Sequence, residues 1–214
     1  MHNLLTLRTA IRPTGYWNPG SPISHHELRI KQYESGLARI RDEICNLPSD
    51  MEIALIDNTI SSPDDLPSNM RNLLPASAHL LLSKTNSFGR FNKGAGDIQV
   101  WRKYKTFLRK YSLIFHFEPK LQILDISDFS RFLSHRSEHV ERAGLMQVKT
   151  GHFVISSDNL VNFAQSVNLP KMLLTRTSIE SLLFSNLVKK KLDITAEPPW
   201  TSRYEPTSGN WESY

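Results

Sequence analysis

The order of its apolar runs constrains this chain more than any other feature. Leu4 to Ile11, Met51 to Ile56 and Ala78 to Leu82 are short apolar runs bounded by turn-forming residues, which reads as three strands. Between the first two, Ile30, Tyr33, Leu37, Ile40 and Ile44 recur every three or four residues and give one apolar stripe, the pattern of an amphipathic helix. Ser24-His-His-Glu27 fits a capping box at its start, and Asn46 with Pro48 ends it. Strands set apart by a helix and by a proline-rich loop over 61–75 predict an α/β fold, a layered αβα arrangement around a mostly parallel, Rossmann-like sheet. With 214 residues there is length for one sizeable core. A single domain over 1–195 is expected, then an irregular aromatic tail over 196–214 with Trp200, Tyr204 and Trp211.

The third run empties into Ser83-Lys-Thr-Asn-Ser-Phe-Gly-Arg-Phe-Asn-Lys-Gly-Ala-Gly-Asp97, a polar glycine-bearing loop that opens a helix with Ile98, Trp101, Lys105 and Leu108 on one side. Tyr111 to Phe117 is the fourth strand, and Leu121 to Leu124 is a continuation of it beyond Pro119. Short helical pieces are expected over 127–142. A strand pair over 145–149 and 152–155 turns at Thr150-Gly151, and helices follow at about 158–167 and after the capping box Thr177-Ser-Ile-Glu180.

Composition narrows the function classes. No apolar run approaches the roughly 20 residues that span a bilayer, and the first residues lack the basic region and cleavage site of a secretory leader, so a soluble, cytoplasmic protein is expected. Cys45 is the only cysteine, which excludes an internal disulfide framework and a multi-cysteine zinc site; it reads as a packing residue beside the helix stripe. The net charge of +5 is uneven, since residues 101–150 hold ten Lys and Arg against five Asp and Glu. Arg102, Lys103, Lys105, Arg109 and Lys110 form either a solvated helix face or a surface for an anionic partner. No nucleic-acid-binding signature accompanies them.

Ligands of an open α/β sheet bind outside the carboxyl ends of its strands. That rule selects Thr6, Arg8 and Thr9, then Asp57 and Asn58, then the loop from Lys84 to Asn92. A glycine loop entering a helix suits a phosphate, with Asn92 as the helix cap and Lys93 and Arg90 adding charge. The loop is neither a Walker motif nor a dinucleotide fingerprint. His116 and Glu118 lie two apart on a strand and share a face, so they form the best acid–base or metal-binding pair, with Asp125 a third ligand. His25-His26 and the His135/His139 pair are weaker. No Gly-x-Ser-x-Gly elbow supports a serine hydrolase. Glu180 is a candidate general base whose place in a capping box already accounts for it.

This order of elements resembles the nucleotide-sugar glycosyltransferases of the GT-A class. The resemblance rests on Thr6-Leu-Arg8, Ile56-Asp57, Asn92-Lys-Gly-Ala-Gly96 and Phe115-His-Phe-Glu-Pro-Lys120, and covers roughly residues 4–125. It implies transfer of a sugar from a nucleotide-sugar donor to an acceptor hydroxyl of a glycan or small molecule, in cell-surface glycan or natural-product glycoside synthesis. Thr6, Arg8, Asp57, Asn92, Lys93, Gly94 and Gly96 would then hold the donor, and Glu118 with His116 would sit at an Mn²⁺ or Mg²⁺ ion. The family's usual Asp-x-Asp is missing, with His116-Phe-Glu118 in its place. Alternative readings are a non-catalytic module for an anionic partner and a metal-assisted phosphate-ester hydrolase.

Overall fold

The three leading apolar runs form β1 (Asn3–Thr9), β2 (Met51–Asp57) and β3 (His79–Leu82) in the computed structural model, which describes residues 2–12, 26–196, 200–205 and 210–213. The periodic stretch gives α1 (His26–Arg39) and α2 (Arg41–Cys45), and the proline-rich loop holds a 3-10 turn, Pro63–Asp65, and α3 (Ser68–Asn72). The loop and capping residues expected between 13 and 25 lie outside the described residues. Then come α4 (Lys93–Lys103), α5 (Lys105–Leu108) and β4 (Leu113–Phe117). The second half contains β5 (Gln122–Ile123), α6 (Ile126–Leu133), β6 (Arg142–Gly144), β7 (Gln147–Val148), β8 (His152–Ser156), α7 (Ser157–Ser166), α8 (Leu169–Leu174), α9 (Ile179–Lys189), β9 (Thr201–Glu205) and β10 (Asn210–Ser213).

The central sheet runs β3-β2-β1-β4-β8, with the first four strands parallel and β8 antiparallel to β4. β1 lies in the middle, and all seven of its residues are buried. Helices cover both faces, which is why these strands read as continuous apolar runs. Alternate residues feed separate cores. Leu4, Ile56 and Phe153 pack with Trp101, Leu160 and Leu183 on one face, while Leu5, Leu7, Phe115 and Phe117 pack with Leu37, Met70 and Phe129 on the other.

Four expectations change. The 145–155 hairpin is not one unit: β6 and β7 turn at Leu145-Met146, and β8 leaves to pair with β4. Phe153 and Val154 are buried on opposite faces, so β8 belongs inside a two-sided sheet. Gln122–Ile123 does not extend β4, because the chain turns at Pro119, where Leu121 N–H donates to the Glu118 carbonyl, and pairs with β9 instead. The stretch expected as an irregular tail is therefore anchored over β9, β10 and the buried Trp200, whose ring stacks on Phe117. Cys45 is exposed, and its neighbour Ile44 takes the buried position.

The basic face of α4 and α5 is largely tied down. Arg102 Nε donates to the Ala164 carbonyl at 2.7 Å near the C-terminus of α7, where a cation also suits the helix dipole. Lys103 Nζ reaches Ser83 Oγ at 2.8 Å, and Arg109 meets Asn162 and Asp158. These contacts give most of the expected anion-binding surface a structural job.

Candidate active site

Four parallel strands bring their C-terminal ends to one edge, and the polar residues there are buried, so each needs a partner. Asp57 spends both oxygens on the chain itself. Oδ2 accepts from Thr9 Oγ1 at 2.8 Å and Ile11 N at 2.9 Å, while Oδ1 accepts from the Thr59 N and Oγ1 at 2.6 Å each. It fastens the ends of β1 and β2 together. Arg8, 4% exposed, donates from Nε to Asp97 Oδ1 at 2.7 Å and from Nη2 to Asn58 Oδ1 at 2.8 Å. Burial works against the guanidinium charge, but Asp97 and then Asp57 outweigh it and hold the pKa above its ordinary value.

Asn58 carries this network into the glycine loop. Its Nδ2 donates to Asn86 Oδ1 at 2.9 Å and to the Gly96 carbonyl at 3.1 Å. A Cβ on Gly96 would lie 2.8 Å from the side chains of both asparagines, and one on Gly94 would lie 2.6 Å from Ile179. Glycine is used at both positions for close packing of α4 against the loop and against α9. Asn92 caps α4 through its side chain, which accepts from Ala95 N at 3.2 Å.

From the first turn of α4, Lys93 Nζ meets both oxygens of Glu118, Oε1 at 2.6 Å and Oε2 at 3.0 Å. Lys120 Nζ reaches the same Oε2 at 2.8 Å. Glu118 N–H donates to the Gly151 carbonyl at 2.7 Å, so the end of β4 is held from its own backbone as well. Gly36 of α1 fixes the intervening Pro119: a Cβ there would lie 1.6 Å from the Pro119 carbonyl oxygen. Burial raises the cost of the Glu118 charge, yet Lys120 and Lys93 together hold its pKa well below the carboxylate range. With two ammoniums sharing one carboxylate, burial pushes Lys120 down to about 7.

A cleft of about 800 Å³ opens beside Lys93. One wall is Asn92, Lys93, Gly94 and Asp97 from the first half, and the other is Thr150, Arg176, Ser178 and Glu180 from the second. Glu180 sits in the first turn of α9 but does not cap it; Ser178 does, and Thr150 Oγ1 instead donates to Glu180 Oε1 at 3.0 Å. The carboxylate is thus held by Thr150 on its own wall of the cleft. A smaller notch of about 20 Å³, enough for one water, lies between Arg8, Arg29, Asn58, Gly89 and Lys93.

His116 does not share a site with Glu118. Its ring is 1% exposed, stacks on Phe153 with centroids 4.6 Å apart, meets the edge of Trp101 and places Nδ1 3.3 Å from Thr6 Oγ1. Burial pushes its pKa down to about 4, so it is a neutral core histidine at neutral pH. Asp125 caps α6. The residues at this edge do not fit a divalent cation: the Glu118 oxygens are taken by lysine, and no group of three His, Cys, Asp or Glu side chains among the described residues is placed to hold one. Thr6 and Asp57 lie beneath the edge, whereas Asn92, Lys93 and Glu180 meet in the cleft. Arg90 is exposed. Asn58 is selected with Asp57 at the end of β2, whereas Asp97, Lys120, Thr150 and Arg176 carry no local motif that assigns them to the site.

No family model matches the sequence, and no curated protein matches it significantly. Among solved structures, the chain is similar to one classed as a nucleotide-diphospho-sugar transferase from Desulfovibrio desulfuricans G20, at 10% identity and a TM-score of 0.51, over 92% of this chain and 80% of that one. It is also similar to the apo-form glycosyltransferase GlyE of Streptococcus pneumoniae TIGR4, at 11% identity and a TM-score of 0.49, over 92% of this chain and 45% of that one. The first likeness, with the β3-β2-β1-β4-β8 sheet order, establishes a GT-A-like α/β fold for this chain.

Proposed function

We propose that this protein is a glycosyltransferase that moves a sugar from a nucleotide-sugar donor to an acceptor hydroxyl. The observation that carries the reading is the cleft itself, where a lysine from the strand-end edge faces a glutamate fixed on a separate helix. Arg8, Asn92 and Lys93 are assigned to the donor side, with Thr6, Asp57, Gly94 and Gly96 shaping it from beneath. Glu180 is assigned as the base. In an inverting transfer it takes the acceptor proton as the hydroxyl oxygen bonds to the anomeric carbon. The bond from that carbon to the diphosphate oxygen breaks, and the electron pair leaves with a diphosphate whose charge Lys93 meets. A fold likeness supports the donor class, and the cleft is large enough for a sugar and its acceptor.

Thermal unfolding with uridine, guanosine, adenosine and cytidine diphosphates tests the donor half. A saturating nucleotide is expected to raise the melting temperature by about 5 to 10 °C. Glu180→Gln is expected to keep that shift and lower sugar transfer by about 100-fold or more. Absence of a shift with all four nucleotides would overturn the reading.

A further inference from the structure

The strand-end edge has a carboxylate where a nucleotide-sugar site needs positive charge, and that carboxylate is already neutralised. Lys93 and Lys120 both contact Glu118 Oε2, one arriving from α4 and the other from beyond the Pro119 turn. Their side chains are 38% and 24% exposed, while Glu118 is 5% exposed. The carboxylate is therefore the buried end of the cluster; Lys93 lines the cleft, and Lys120 lines a separate groove between α1 and the Pro119 turn. Arg8 and Arg29 flank the same notch as Lys93.

We infer that Lys93 and Lys120, positioned by Glu118, hold the diphosphate of the donor directly, so that this protein binds its nucleotide without a divalent cation. The inference rests on the proposed transferase reading and specifies how its donor is held. A divalent ion here would have to displace an ammonium from Glu118, and the described residues place no group of three carboxylate, imidazole or thiol ligands to hold it. With Lys120 protonated, the form that a phosphate beside it favours, the two ammoniums carry the same formal charge as one Mn²⁺ or Mg²⁺. They need only rotate about flexible stems to exchange part of their hydrogen bonding from carboxylate to phosphate. Glu118 then acts as a positioning residue: it keeps two like charges together in the empty site, where they would otherwise repel. Gly36 and Pro119 keep Lys120 within reach of Lys93, which explains why a glycine is needed in the middle of α1.

Calorimetric titration of the full chain with the four nucleoside diphosphates and with inorganic pyrophosphate, each in EDTA and in Mn²⁺, tests this. At least one nucleotide is expected to bind with the same Kd, within about twofold, in both. Lys93→Gln and Lys120→Gln are each expected to weaken it at least tenfold, with Lys93→Arg recovering most of the loss. Because a lone glutamine leaves a buried carboxylate underpaired, the double variant Lys93→Gln/Glu118→Gln serves as the folded control, verified by its melting curve, and should bind as weakly as Lys93→Gln. Nucleotide binding that EDTA abolishes and Mn²⁺ restores would overturn the inference and leave the transferase reading standing. Unchanged affinity in both lysine variants would also overturn it. Pyrophosphate binding that depends on both lysines, with no nucleotide bound, would keep the anion site and overturn the transferase reading. No binding of any probe would overturn both.

Discussion

Glu118 and Glu141 are both buried carboxylates held by lysine, and they are enclosed in opposite ways. Glu141 is sealed. Its Oε2 accepts from Lys149 Nζ at 2.9 Å, and its Oε1 accepts from Trp200 Nε1 at 2.7 Å with His152 Nε2 at 3.2 Å. Lys149 is only 9% exposed, so neither partner can turn to water. Those bonds tie β7, β8 and the residue before β9 together. At Glu118 the carboxylate is equally deep, but its two lysines reach solvent. The contrast teaches that burial of a charge does not by itself mark a functional site; what matters is whether its counter-charges are free to find something else.

Removing the charge at each position should separate the two. Glu141→Gln strands an ammonium in a closed space and is expected to cost about 3 to 5 kcal/mol. At Glu118→Gln, Lys93 and Lys120 are free to turn outward, and the expected loss is about 1 kcal/mol. Urea unfolding of both variants measures the difference. Equal losses would break the comparison and make the Glu118 cluster another structural staple.

A buried histidine lies near each carboxylate, His116 two residues before Glu118 and His152 in contact with Glu141, and pH dissects them. Both His116 and His152 have pKa values pushed down by burial, His116 to about 4. Above the unfolded value of about 6.5, both are neutral in either state and contribute no slope. As pH falls from there toward 4, the unfolded chain takes up protons that the folded chain refuses, so stability declines. His116 accounts for about 3 kcal/mol of that decline. His116→Gln should flatten unfolding free energy over that window by this amount, and His152 contributes to the slope that remains. Glu118 and Glu141, with depressed carboxyl values, contribute their stability above the usual carboxylate range and lose it only at more acid pH. An unchanged slope in His116→Gln would mean that its ring is protonated without disturbing the core.

The distinction between sealed and open charge was only partly legible in the sequence. Apolar runs and helix periodicity located β1 to β4 and α1, because a strand buried on both faces and a helix with one stripe each leave a local record. Asn92 as the cap of α4 was legible for the same reason, since the cap and its N–H are three residues apart. Pairing across long separations leaves no such record. Nothing near β8 states that it joins β4, and Gly36 says nothing of Pro119 until the two meet. The same holds for the site: Lys93 and Glu118 stood out individually, yet Lys120 looked like ordinary strand-end charge and Asp97 like part of a loop. His116 and Glu118 share the alternation of a strand, but the strand ends between them, so one enters the aromatic core and the other reaches the edge.

Arg176 completes the series, as a cation with no carboxylate partner among the described residues. It has φ 52° at the end of α8, where its N–H donates to the Leu173 carbonyl and Thr177 N–H donates to the Met172 carbonyl. This is the left-handed helix-ending position that glycine normally takes. Arg176 lines the cleft opposite Lys93, with no hydrogen bond or ion pair from its side chain to a described residue. A non-glycine residue held there carries backbone strain on the order of 1 kcal/mol, which the interior gains nothing from. Arg176→Gly should therefore raise stability by about 0.5 kcal/mol, after allowing for the greater freedom of glycine in the unfolded chain. Turnover should move the other way, falling severalfold, because the variant removes a charge that faces the substrate space. A more stable protein with unchanged turnover would reduce Arg176 to an ill-chosen cap and leave the exchange to Lys93 and Lys120 in the proposed site.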